Sequence, residues 1–99
     1  MVYGSTVKTR VEISRRAEKQ LRKVPRHVVD KLLAWVQLVV QEGLAEARKI
    51  PGYHDEALRG ERAGQRSIRL SRAYRAIYVV ADRASVSFVV LKEVSKHDY

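Results

Sequence analysis

The sequence predicts an α+β fold in two layers, with element order β-α-α-β-β-β: an antiparallel sheet carrying two N-terminal helices on one face. Three observations lead there. Val7, Thr9, Val11 and Ile13 alternate with Lys8, Arg10 and Glu12, the period of two that marks a strand with one polar face. Val28, Val29, Leu32, Leu33, Val36, Val39 and Val40 recur every three or four residues, the broad apolar stripe of a helix packed on a core. Beyond Gln65 the pattern returns to strands, two of them almost continuously apolar, as in a sheet buried on most of both faces.

The elements follow in order. Met1–Thr6 reads as a loose lead-in to the strand Val7–Ile13. Ser14 stands where a helix N-cap belongs, its hydroxyl suited to accept from an orphan N–H of the first turn. Ala17, Leu21 and Val24 then form a narrow apolar stripe, with Arg15, Arg16, Lys19, Arg22 and Lys23 facing away. Pro25 ends that helix and suits the first turn of the next, Arg26–Glu42, where Trp35 and Leu38 lie beside the main stripe. Gly43 is placed to end or kink it, and Leu44–Ile50 adds a short helical turn before Pro51-Gly52 breaks the chain. Tyr53–Gly64 is polar and turn-rich. Ile68 and Leu70 alternate with Ser67, Arg69 and Ser71; Tyr74–Ala81 is apolar except for Arg75; Ala81–Ser85 turns the chain into a last strand, Ser87–Val94; and Ser95–Tyr99 is a polar tail. The helices intervene between the first strand and the second, so only the last three strands are free to form a meander. The helices must then cover one face of it.

A chain of 99 residues holds one domain, spanning 1–99. Its 20 Lys and Arg against 11 Asp and Glu give a net charge of +9, spread along most of the length. Solubility alone needs about 2–8 charges in a small domain. The excess suits a polyanionic partner: RNA, DNA, the ribosome, an acidic protein or an anionic membrane. With no cysteine, a disulfide-stapled scaffold and a cysteine zinc site are excluded. His27, His54 and His97 show no ligand spacing, so neither a metal nor another cofactor is expected. The N-terminus lacks the apolar core of a signal peptide. The longest apolar stretch, Leu32–Val40, is interrupted by Gln37 and too short to span a bilayer. The sequence thus predicts a soluble, cytoplasmic protein without a membrane partner.

Arg75 is the main anomaly. A cation among Tyr, Ile and Val in a strand is costly unless it pairs with a carboxylate at the sheet rim or opens into a groove where it holds a phosphate, for which the guanidinium fork is well shaped. Arg69 repeats the pattern on the neighbouring strand, and Arg59 and Arg66 are further candidates, either for an anion or as solvated surface. Glu56 precedes the second strand and is either a surface carboxylate or a base. His97 and Tyr99 end the chain: the histidine is either solvated or a proton carrier, and the tyrosine either packed or able to stack on a nucleobase. Cleavage of a phosphodiester without metal needs a base for the 2′-hydroxyl, cations for the phosphorane and an acid for the leaving 5′-oxygen. These residue types jointly provide all three.

The runs Glu56-Ala57-Leu58-Arg59-Gly60, Ser67-Ile68-Arg69-Leu70, Tyr74-Arg75-Ala76-Ile77-Tyr78 and Val94-Ser95-Lys96-His97-Asp98-Tyr99 resemble the RelE/ParE superfamily of toxins from bacterial toxin–antitoxin pairs, above all its ribonuclease branch of RelE, YoeB and HigB relatives. The element order agrees over nearly the whole chain. The resemblance implies the RelE-type, microbial-ribonuclease-like fold and an mRNA interferase: a toxin that cleaves mRNA on the ribosome without metal, leaves a 2′,3′-cyclic phosphate and a 5′-hydroxyl, and so inhibits translation. It also implies a cognate antitoxin, through which the complex binds operator DNA. By the same resemblance Glu56 matches the general base and Arg75 the arginine at the scissile phosphate. Arg59 and Arg69 match RNA-binding basic positions, to which Arg66 is added, and Lys96, His97 and Tyr99 match the C-terminal set that supplies the acid and stacks on a base. Asp98 stands between His97 and Tyr99, whereas YoeB-like tails put His directly before the final Tyr, so either residue is a candidate acid. The same fold also carries ParE-like gyrase inhibitors without a ribonuclease centre, and a basic module that binds RNA without cutting it is the third reading.

Overall fold

The structure, a computed structural model, describes residues 2–3, 9–83 and 86–96. Strands β1 (Val2–Tyr3) and β2 (Thr9–Ile13) lead into helices α1 (Arg15–Leu21), α2 (Arg26–Glu42) and α3 (Leu44–Arg48). A 3-10 turn at Pro51–Tyr53 precedes β3 (Glu56–Ala57), and another at Gly60–Arg62 precedes β4 (Arg66–Arg69), β5 (Tyr74–Arg83) and β6 (Val86–Lys96). The sheet runs β1-β2-β6-β5-β4-β3.

The expected meander is present, as β4, β5 and β6 pair antiparallel in sequence order. The sheet as a whole is nevertheless mixed, which corrects the expectation of an antiparallel one. β2 lies parallel to β6, from Thr9 opposite Ser87 to Ile13 opposite Leu91. Parallel neighbours need a long crossover, and the helical layer between β2 and the meander provides it. A hydrophobic pattern shows that a strand exists but not which neighbour it takes. Of the expected loose lead-in, the described residues Val2 and Tyr3 form a strand instead: they pair antiparallel with Glu12 and Val11, and Tyr3 packs against the core. The polar stretch after Tyr53 carries β3 and a 3-10 turn rather than turns alone.

Local chemistry explains where the helices start and stop. Ser14 Oγ accepts from Ala17 N at 3.1 Å, capping α1 as its sequence position predicts. The same hydroxyl donates to Lys92 O at 3.0 Å, tying the cap to β6. Gly43 ends α2 at φ 88°, a left-handed conformation that a side chain would oppose.

The helix-facing side of the sheet is set by register. Ile68, Ala76 and Val94 form one cross-strand row, and Tyr78, Leu91 and Ile13 another; all are buried. A bulge places Lys92 out of the pairing between Ile77 and Tyr78 of the facing strand, which keeps Val94 and Leu91 on the same side despite their odd spacing. Val28, Leu32, Trp35, Val36 and Val39 of α2 pack onto this face. Trp35 and Tyr78 meet at 5.2 Å between ring centroids, with planes tilted by 47°. Burial of each large side chain here contributes about 1.5–3 kcal/mol.

Candidate active site

Paired residues on adjacent strands project to the same side, as do residues two apart on one strand. Glu56, Ser67, Ile77 and Glu93 form one cross-strand row, and Arg69, Arg75 and Ser95 the next. Both rows therefore lie on the face turned away from the helices. The rows through Arg66 and Tyr78, and through Ile68 and Ala76, lie on the helix-facing side. A cleft of about 190 Å³ opens on the outer face, lined by His54, Glu56, Ser67, Arg69, Ser71, Arg72, Tyr74 and Arg75.

Arg75 is half-buried in that cleft, and its Nε is buried with no hydrogen-bond partner among the described residues. No carboxylate among the described residues pairs with it, so the rim ion pair that the sequence left open is not what they hold. Arg69 is its direct cross-strand partner. Like charges directly opposite each other are unfavourable, and the planar donors of both side chains match the oxygens of a phosphate.

The segment His54-Asp55-Glu56 shows how the opposite wall of the cleft is held. His54 closes the 3-10 turn in a left-handed conformation (φ 45°, ψ 53°), its N–H donating to Pro51 O at 3.0 Å. Histidine is tolerated there better than most residues, at a cost of about 1–2 kcal/mol. Asp55 turns inward, its side chain 1% exposed. It accepts from Arg66 Nε at 2.6 Å and from the Tyr78 hydroxyl at 2.5 Å, and Arg48 Nε donates to that hydroxyl at 3.4 Å. Burial first, and then the bond to Asp55, push the Tyr78 hydroxyl up to about 12. Burial works to lower Arg66, but its hydrogen bond and charge contact with Asp55 outweigh that and raise it. With Asp55 pinned inward, His54 and Glu56 are thrown outward together. His54 Nε2 lies 3.8 Å from Glu56 Oε2, and both side chains are more than half exposed.

Two further devices shape the rim. Ser71 Oγ accepts from the N–H groups of Ala73 and Tyr74, each at 3.2 Å, forming the turn that presents Arg72. Glu93, with 7% of its side chain exposed, accepts from Arg62 at 2.8 Å and Arg16 at 3.1 Å. That ion pair fastens the Gly60–Arg62 turn over the outer face of the sheet.

Of the residues expected from sequence, the structure brings together Glu56, Arg69 and Arg75. Arg66, also expected among the RNA contacts, does not line this cleft: it points to the helix-facing side, is 27% exposed, and is engaged by Asp55. Strand alternation explains this, since Arg66 is one residue out of phase with Ser67 and Arg69 is not. Arg59 is exposed at the start of the second 3-10 turn and does not line the cleft. Lys96 is exposed at the end of β6, as the register partner of the rim residue Tyr74. His97 and Tyr99 lie outside the described residues. His54, Ser67, Ser71, Arg72 and Tyr74 were not singled out as site residues by the sequence. For His54 a signal existed: it stands two residues before Glu56, the spacing that shares a face in extended chain.

Among the described residues, no three His, Asp or Glu side chains are grouped to hold a metal ion, and no helix is long and apolar enough to cross a membrane. No protein-family model and no curated protein matches the sequence. Solved structures do match. The Escherichia coli DinJ–YafQ toxin–antitoxin complex contains a chain of TM-score 0.70 at 18% identity, covering 92% of this chain and 94% of that one. The toxin–antitoxin complex RelBE2 from Mycobacterium tuberculosis gives 0.54 at 26% identity, over 88% and 95%. The YoeB dimer from Staphylococcus aureus gives 0.62 at 17% identity, over 94% and 100%. The chain has the fold of these proteins, a RelE-like α+β fold with a mixed sheet.

Proposed function

We propose that this chain is the toxin of a toxin–antitoxin pair, a cytoplasmic endoribonuclease that cuts ribosome-bound mRNA without a metal ion. One observation carries the reading: Arg75, whose buried Nε has no partner among the described residues, projects beside Arg69 into a cleft walled by Glu56. The RelE-like fold and the motif resemblance support it.

The chemistry follows from the positions. Glu56 draws the proton from the 2′-hydroxyl as its oxygen attacks phosphorus. Arg75 and Arg69 neutralise the charge growing on the phosphoryl oxygens, the kind of stabilisation that is worth about 100- to 1,000-fold for one donor. The bond to the 5′-oxygen breaks, and that oxygen takes a proton from His97 or Tyr99, which follow Lys96 at the end of β6. The products are a 2′,3′-cyclic phosphate and a 5′-hydroxyl. Arg59 and Lys96 serve the flanking phosphates. The partner that restrains such an activity is an antitoxin, as the complexes DinJ–YafQ and RelBE2 have, and through it the pair would reach operator DNA.

Induced expression tests the reading. Amino-acid incorporation should stop within minutes while chromosomal DNA stays intact, and purified toxin should keep cutting in EDTA. Continued translation with accumulating DNA breaks would place the chain with the gyrase inhibitors. Bound but uncut RNA would make it a binding module.

A further inference from the structure

We propose that His54 is a second catalytic group of this cleft, sharing with Glu56 the proton of the attacking 2′-hydroxyl; this rests on the ribonuclease reading above. His54 Nε2 stands 3.8 Å from Glu56 Oε2, and both side chains line the cleft that holds Arg75. Glu56 is the one ion-pair partner His54 has among the described residues. The backbone is built to aim the imidazole there. His54 adopts a left-handed conformation, and Asp55, fastened inward by Arg66 and Tyr78, keeps its two neighbours on the outer side. The charged and titratable groups lining the cleft with His54 are Glu56 of β3, Arg69 of β4, Arg72 of the turn, and Tyr74 and Arg75 of β5; Asp55 faces away.

The spacing decides the role. In an in-line displacement the base and the acid lie on opposite sides of the phosphorus. Two groups 3.8 Å apart share one side, so His54 works with Glu56 at the 2′-oxygen rather than against it at the 5′-oxygen. A neutral imidazole is a better base near neutral pH than a carboxylate, because its ordinary pKa lies closer to the working pH. The 2′-hydroxyl proton passes to the pair and comes to rest on the imidazole, where the Glu56 carboxylate steadies the cation. The 2′-oxygen forms its bond to phosphorus, the bond to the 5′-oxygen breaks with its electron pair, and that oxygen is protonated from the far side. One proton is taken up and one is delivered.

Single-turnover cleavage of ribosome-bound mRNA, read from about pH 5.5 to 8.5 across the histidine range, tests this. The variants are His54→Asn, Glu56→Gln and the double substitution. Asparagine adopts the left-handed conformation readily, so the backbone is retained; His54→Gly serves equally if the Asn variant does not fold. The rate should fall about 100-fold in His54→Asn, the low end of what one acid–base group contributes, and the acid limb of the profile should move toward the carboxylate range. Because the pair acts as a unit, the double variant should be little slower than the slower single one. A folded His54 variant with the wild-type rate and an unchanged profile would overturn the proposal, as would losses that multiply. An inactive wild-type protein would instead overturn the ribonuclease reading itself.

Discussion

Arg75 concentrates the functional argument at the scale of a single residue. Its Nε is buried without a partner among the described residues, in a strand that otherwise buries Ala76, Ile77 and Tyr78. Such a group costs stability in the free protein and is retained where it gains an anion. Replacing Arg75 by Ala should therefore slow cleavage by about 100-fold or more while leaving the melting temperature unchanged or higher. Arg75→Lys should recover little, since it loses Nε and the fork. Single-turnover rates alongside thermal melts check both halves. A folded Arg75→Ala protein that cuts at the wild-type rate would remove Arg75 from the site. Arg75 was legible in the sequence because a cation in an apolar strand stands out against its neighbours. His54 was harder to see, since its role depends on which way a turn throws it. That Arg66 lies on the other face from Arg69 follows from its phase within the strand, which its charge alone does not reveal.

The segment His54-Asp55-Glu56 and strand β5 make a functional unit at the next scale. Asp55 and Tyr78 join the turn to the sheet from the inner side, so that His54 and Glu56 can stand on the outer side. This junction predicts an alkaline signature. The folded state holds the Tyr78 proton up to about 12, whereas the unfolded chain releases it near the ordinary tyrosine value of 10.0. The folded form gains nothing from this below pH 10 that it does not keep, and it loses that stability as the pH climbs from 10 toward 12. The shift corresponds to about 3 kcal/mol. Burial raises Tyr53 as well, with the same sign. Urea midpoints measured from pH 8 to about 11.5 should fall across the tyrosine range, and Tyr78→Phe should flatten much of that slope. An equal slope in the variant would show that the junction does not control it. None of this was visible from pattern alone. Helix α2 was, because its stripe persists from Val28 to Val40 and needs no distant partner to define it.

The whole molecule combines a RelE-like sheet with a charge of +9. Fold class and the β4–β5–β6 meander followed from period and order, whereas the parallel β2–β6 pairing did not, because contacts between distant strands leave no local trace. The charge predicts strongly salt-dependent RNA binding. Each phosphate contact on single-stranded RNA should add about 0.7 to the slope of log affinity against log salt. Arg69→Ala, titrated against a cleavage-resistant oligonucleotide with a 2′-deoxy substitution, should lower that slope by about one contact. The variant Arg26→Ala, on the opposite layer in α2, should leave it unchanged.

On the proposed reading, the cleft cuts RNA through the RNA's own 2′-hydroxyl. The most direct measurement of this is the chemistry of the RNA ends formed after a brief pulse of the toxin in a translating extract. New cuts should appear within translated mRNA, their upstream fragments ending in 2′,3′-cyclic phosphate and their downstream fragments beginning with 5′-hydroxyl, and they should be strongly reduced with Arg75→Ala. Intact mRNA, or cuts that leave 5′-phosphate and 3′-hydroxyl ends, would contradict it.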